Sequence, residues 1–345
     1  MRQSPPRRQS PPQPERPPLN QFQNYLVHEF VDDYNDGVMG RRDMMRRVLH
    51  ITGGVAAAAT TLTTLGVRAA DAGVERKVVR QGTAATSPIS VPADDPRVVA
   101  TDITFDSSGV TITAYEARPS GTSGTPAATP ISSPEAGPVA VADGGLPLIL
   151  VCHENRGLTD HIRDVTRRLA TNGYVAVAVD LVSRDGGTAA HDESEIPSIL
   201  SNGDPNRHVE DFRAALAHYG SVEGVDATRA GMVGFCFGGG ITWRAVTQIA
   251  ELKAGVPYYG PPPPLEDVPN IAAAVLGVYS SDPGDFANEG RDQLEAALES
   301  AGVTFRINVY PGTEHAFNND TGPRYNEEQA LAAWQDTLDW FSTYV

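Results

Sequence analysis

The chain has 345 residues, a net charge of −16 and two cysteines. Arginines slightly outnumber acids up to Arg76, so the negative excess sits in the body beyond it, which argues against a nucleic-acid partner. Two cysteines, Cys152 and Cys236, do not make a disulfide scaffold, and because each falls at the end of an apolar run both are expected to be free thiols.

Composition divides the chain into four parts. Residues 1–75 form an N-terminal arm rich in Pro, Ser, Thr and Ala, expected to be partly disordered, and residues 76–120 carry the first strands. A low-complexity linker spans residues 121–145, and residues 146–345 are long enough for one well-buried domain. Within the arm, "NQFQNYLVHEFVDDYNDGVM" places Phe22, Leu26, Phe30 and Val31 at helical spacing. The next stretch places Arg41 and Arg42 before a mildly apolar run, Val48 to Val67, that ends in Ala70-Asp71-Ala72. That is the layout of an export signal of the twin-arginine type, so a periplasmic or extracellular location is the expectation, with a helical arm on a cytoplasmic protein as the alternative. Thr, Gly and His50 dilute the apolar run, so no stable membrane insertion is expected.

"VVATDITFDSSGVTITAYEARP" alternates apolar and polar residues on both sides of Asp106-Ser107-Ser108-Gly109 and predicts a hairpin at a sheet edge. From Leu146 short apolar runs alternate with amphipathic stretches, beginning with strand "LPLILVC", helix His161 to Asn172 and strand "YVAVAVD". Helix Pro205 to Tyr219, strand "AGMVGF" and helix Gly238 to Glu251 follow, then strands "AGVPYYG" and "AAAVLGVYS". Helix Ala287 to Ala301, strand "TFRINVYP" and helix Tyr325 to Tyr344 complete the chain. This order predicts an α/β fold with a mainly parallel sheet covered by helices on both faces, whose ligands bind at the carboxyl ends of the strands.

Four strand ends carry candidate chemistry. Gly234-Phe235-Cys236-Phe237-Gly238 has the outline of a nucleophile elbow, where glycines flank a turn too tight for a β-carbon. The following helix would point its positive end at the sulfur and favour a thiolate, although cysteine is also common as an inert buried residue. His315 follows the last strand in "VYPGTEHAFNND", and Asp282 and Asp285 follow the preceding one in "GVYSSDPGDFANEG". Nucleophile, acid and histidine thus occur in the chain order of an α/β-hydrolase. Asp282, nearer the strand end, is the favoured orienting acid, and Asp285 the alternative. In "CHENRG", Glu154 lies beside the elbow, and the amides of Asn155 and Phe237 are placed to form an oxyanion hole. His153 and Glu154 are adjacent, but no second histidine stands at ligand spacing, so neither metal nor cofactor is expected.

With "GFCFGGG", "HENRG", "DLVSRDGG" and "YPGTEHAFNND", the chain from about Leu146 onward resembles the dienelactone hydrolase (carboxymethylenebutenolidase) family of α/β-hydrolases. The resemblance implies Cys236 as nucleophile, His315 as base and Asp282 as acid, with Glu154 holding and activating the resting thiol. It also implies Arg184 as the ligand of a substrate carboxylate and the amides of Asn155 and Phe237 as the oxyanion hole. The aspartate loop carries one extra residue, and Asn319 stands where a second carboxylate-binding arginine is usual in the family. The expected function is therefore hydrolysis of a small lactone or activated ester through an acyl-thioenzyme, by a monomer. The alternative is a catalytically silent α/β-hydrolase scaffold that binds a small carboxylate or a protein partner.

Overall fold

A computed structural model describes residues 18–67, 87–121 and 145–345. The linker expected over residues 121–145 and the small residues Ala70-Asp71-Ala72 fall almost wholly outside the described residues, Gly121 and Gly145 excepted.

The predicted hairpin is strands β1 (Val98–Ser107) and β2 (Val110–Pro119). Ser108 and Gly109 close it with φ of 53° and 80°, the two-residue turn whose twist matches its flanking strands. Six further strands follow: β3 (Leu146–Cys152), β4 (Val175–Val179), β5 (Val225–Phe235), β6 (Ala254–Tyr258), β7 (Ala274–Ser280) and β8 (Phe305–Tyr310). They form one eight-stranded sheet in the order β1-β2-β4-β3-β5-β6-β7-β8. β1, β2 and β4 pair antiparallel, and the remaining pairs are parallel. Every residue of β3, β4, β6 and β7 is buried, which is why these strands are continuous apolar runs.

Helices α4 (Asp160–Thr171), α6 (Pro205–Tyr219), α7 (Phe237–Gln248), α8 (Arg291–Ala301) and α9 (Glu327–Tyr344) occupy the predicted positions to within a turn. A shorter helix, α5 (Ile196–Asn202), has no counterpart among the expected elements, because seven residues are too few to show a period. α4 packs on β2 and β4, α7 on β5 and β6, and α9 on β6 and β7, which brings the ends of β3, β5, β7 and β8 to one rim of the sheet.

The arm is built of three helices: α1 (Gln21–Asn35), α2 (Arg41–Thr52) and α3 (Val55–Thr64). A capping box between Asn20 and Gln23 starts α1. Phe22, Leu26, Phe30 and Val31 are all buried, as their spacing predicts. α1 and α2 pack on each other and on α5, and the apolar run of the arm supplies Val48, Ile51, Ala58 and Leu62 to the core. Among the described residues no helix is long and apolar enough to cross a membrane.

Candidate active site

Cys236 occupies the turn between β5 and α7 with φ 54° and ψ −119°, a conformation rare for a residue with a side chain. Such strain costs on the order of 1–3 kcal/mol and persists only where the surroundings impose it. Here they do. A β-carbon on Gly234 would stand 2.2 Å from the Gly238 carbonyl oxygen, and one on Gly238 would stand 2.4 Å from that of His153. The two glycines let β5, α7 and the end of β3 close around the sulfur, as the elbow pattern predicts.

His315 is held by the loop after β8, and its Nδ1 lies 3.1 Å from Asp285 Oδ1. The aspartate is fixed in turn by the Ser280 hydroxyl and by the amide of Ala287 at 2.9 Å. The expectation that favoured Asp282 is corrected. Asp282 Oδ1 accepts the Gly284 amide at 2.8 Å and so closes its own turn, while the rest of the loop carries Asp285 back over the end of β7 to the imidazole. Burial pushes the Asp285 carboxyl up, but the charge of His315 and the bonds from His315, Ser280 and Ala287 outweigh it and hold it below its ordinary value. Burial likewise pulls His315 down, and the charge and bond of Asp285, with the charge of Glu29, lift it above the usual histidine value.

The expected thiolate is corrected too. Burial, followed by the charges of Glu29 and Glu154, pushes Cys236 well above an ordinary thiol, despite bonds with the Tyr25 hydroxyl and the Phe237 amide that work the other way. Phe237 is the first residue of α7, whose opening amides have no partner within the helix. Asn155 is buried and lines the cavity next to the sulfur, so both predicted oxyanion residues border Cys236.

Glu154 is beside the cysteine, yet it is not the partner of the thiol. Its Oε2 accepts the side-chain amide of Asn319 at 2.8 Å, whereas the Cys236 Sγ donates to Glu29 Oε2 of α1 at 3.3 Å. Arg184 is a further correction. It binds Asp211 of α6 at 2.6 Å and the hydroxyl of Ser107 at 2.9 Å, and so ties α6 to the end of β1. The guanidiniums that line the cavity at Cys236 are those of Arg156 and Arg324. Arg156 lies 3.7 Å from Glu193, and Arg324 is engaged by Asp33 and Asp36.

Tyr25 and Glu29 are absent from the residues expected at the site. The only available signal was a helical arm with a tyrosine and an acid four residues apart, too common a pattern to mark a site. His153 accepts the Leu181 amide on Nε2 and faces the Glu154 carbonyl with Nδ1, so both nitrogens are used. Among the described residues, Glu29, Cys236 and His315 offer three potential ligand atoms within 4.8 Å of one another. Cys152 is a buried free thiol that burial pushes well above its ordinary value, and it takes no part in the site.

Known proteins similar to this chain share one family. The model of the dienelactone hydrolase family matches residues 136–345. A protein of Escherichia coli K12 provisionally named carboxymethylenebutenolidase is 33% identical over 276 residues, 75% of this chain and 94% of its own. One of Salmonella typhi with the same provisional name is 37% identical over 216 residues, 59% of this chain and 79% of its own. Among solved structures, a provisionally named dienelactone hydrolase from Klebsiella pneumoniae superposes with a TM-score of 0.61 at 32% identity, covering 72% of this chain and 99% of its own. With an α/β-hydrolase sheet and these relatives, the chain belongs to the dienelactone hydrolase family.

Proposed function

We propose that the protein hydrolyses a small lactone or activated ester through an acyl-thioenzyme on Cys236. The observation that carries this reading is the pairing of His315 with Asp285 beside a cysteine in a strained strand-to-helix turn. An aspartate on Nδ1 orients the ring so that the neutral imidazole takes a proton on Nε2, and it stabilises the imidazolium that forms. In the reaction the Cys236 thiol proton passes to Nε2, and the sulfur attacks the carbonyl carbon. The oxygen takes up the negative charge against the amides of Asn155 and Phe237. The adduct collapses as the alcohol leaves with the proton from His315. A water molecule, deprotonated by His315, then attacks the thioester, and the acid departs as Cys236 regains its proton.

Sulfur limits the substrate. A thiolate leaves more readily than an amine, so an adduct on an amide reverts, while enol and phenol esters go forward. Arg156, rather than Arg184, is the cation near the reaction that would take a substrate carboxylate, since Arg324 is already held by Asp33 and Asp36. The paired His315 and Asp285 weigh against a silent scaffold. The Arg41-Arg42 layout is that of an export signal, but the arm helices supply Val48, Ile51, Ala58 and Leu62 to the core, which favours the alternative, a retained helical arm, and N-terminal sequencing of the native protein tests it.

The central test is the Cys236→Ala variant with p-nitrophenyl acetate and a panel of small lactones. Loss of hydrolysis, with an acyl adduct on the intact mass of the parent protein, supports the reading. Hydrolysis by the variant at the parent rate sinks it.

A further inference from the structure

For Cys236 to attack, its Sγ must give a proton to Nε2 of His315. α1 contacts both groups. Glu29 takes the thiol hydrogen bond at 3.3 Å, and the Tyr25 hydroxyl lies 3.4 Å from His315 Nε2. The two residues are four apart and share a helix face. Tyr25 donates its own proton to the Tyr259 carbonyl at 2.7 Å, so its oxygen offers Nε2 an acceptor, while Nδ1 faces the Asp285 carboxylate. Acceptors on both nitrogens favour the imidazolium, which cannot take another proton. The cavity left beside Cys236 is about 40 Å³, room for water and not for an ester. α1 lies outside the residues that match the family model.

We propose that α1 is an intramolecular strap, in which Glu29 and Tyr25 are positioning residues that hold Cys236 as a thiol and His315 as an imidazolium until this helix face lifts, His315 gives its Nε2 proton to solvent water and the ester enters. The inference rests on Cys236 being the nucleophile. The strap is anchored away from the chemistry by Asn20 on the Ser201 carbonyl, Gln21 on that of Pro262, and Gln23 on Asn202. The charged and titratable groups around the thiol are Tyr25, Glu29 and Asp33 of α1, Glu154 and Arg156 after β3, and Tyr259 after β6. Among the described residues Asp285, His315 and Arg324 also face it. Burial raises the Glu29 carboxyl, against the charge of His315 and the Cys236 bond, but its ionised form opposes the charge of a thiolate at 3.3 Å, so its removal should lower the pH at which the thiolate forms.

The test is alkylation by iodoacetamide across pH, located on Cys236 by peptide mass in the full chain. Three proteins are compared: the parent, Glu29→Gln, and a triple variant, Asn20→Ala with Gln21→Ala and Gln23→Ala. Glu29→Gln should react about tenfold faster at pH 7, the equivalent of one pH unit in the thiol limb. The triple variant should also react faster and hydrolyse p-nitrophenyl acetate faster, with an unchanged far-ultraviolet spectrum. The proposal is overturned if Glu29→Gln keeps the parent rate and limb, or if the triple variant reacts at the parent rate. Failure of the nucleophile reading shows differently: Cys236→Ala stays active while Glu29→Gln still speeds alkylation.

Discussion

Asp285 bonds His315 at 3.1 Å although Asp282 lies nearer the end of β7 in the chain. The turn from Asp282 to Asp285, closed by the Gly284 amide on Asp282, folds the chain back so that the more distant acid is the one beneath the imidazole. Asp285→Asn should therefore reduce kcat by on the order of 10³ to 10⁴, the loss expected when a triad histidine is held in the wrong tautomer. Asp282→Asn removes only a turn bond and should leave kcat near the parent value. Steady-state hydrolysis of a phenyl ester by the two variants separates them, and the reverse ranking would return the role to Asp282.

The pH profile should carry the same signature. His315 must be neutral to accept a proton, and Asp285 raises its proton affinity. The ascending limb of kcat/KM should then lie above pH 6.5, the ordinary value for histidine. Asp285→Asn should move that limb to lower pH in whatever activity remains. A limb that does not move would mean that another group controls it.

Arg184 and Arg156 give opposite expectations. Arg184 is spent on Asp211 and Ser107, so Arg184→Met should lower the melting temperature and leave KM for carboxylate-bearing esters unchanged. Arg156 lines the cavity at Cys236, and Arg156→Met should raise KM for those esters more than for neutral ones. Matched charged and neutral substrates measure the difference.

The loop that carries His315 is pinned through Asp320, which bonds His161 at 2.9 Å and also pairs with Arg168, both on α4. Burial works against the Asp320 charge, but the His161 bond and the Arg168 charge win and bring its carboxyl down to about 2. A carboxyl depressed in the folded state stabilises fully above its unfolded value, and that stability is lost as pH falls toward the folded one. Asp320→Asn should thus destabilise by about 3 kcal/mol at neutral pH, as expected when one partner of a buried ion pair is removed. In thermal melts the gap from the parent should narrow between pH 4 and pH 2. A constant gap would show that packing, and not charge, is what the substitution disturbs.

The sequence by itself determined the order of strands and helices from Leu146 onward, the hairpin at the edge, and the elbow at Cys236. Periodicity and the glycines of a tight turn are local properties, so they can be read along the chain. It also placed His315 and the acid on consecutive strand ends, because a parallel sheet presents those ends on one rim. Which acid meets the histidine was decided by a loop that folds back on itself. That Arg184 faces Asp211 of α6 was decided by packing between elements 27 residues apart. The partner of the thiol lies still further away, since Glu29 is 207 residues from Cys236 and no local pattern couples them. Only the docking of the arm helix over the strand ends brings its carboxylate to the sulfur and its tyrosine to the imidazole.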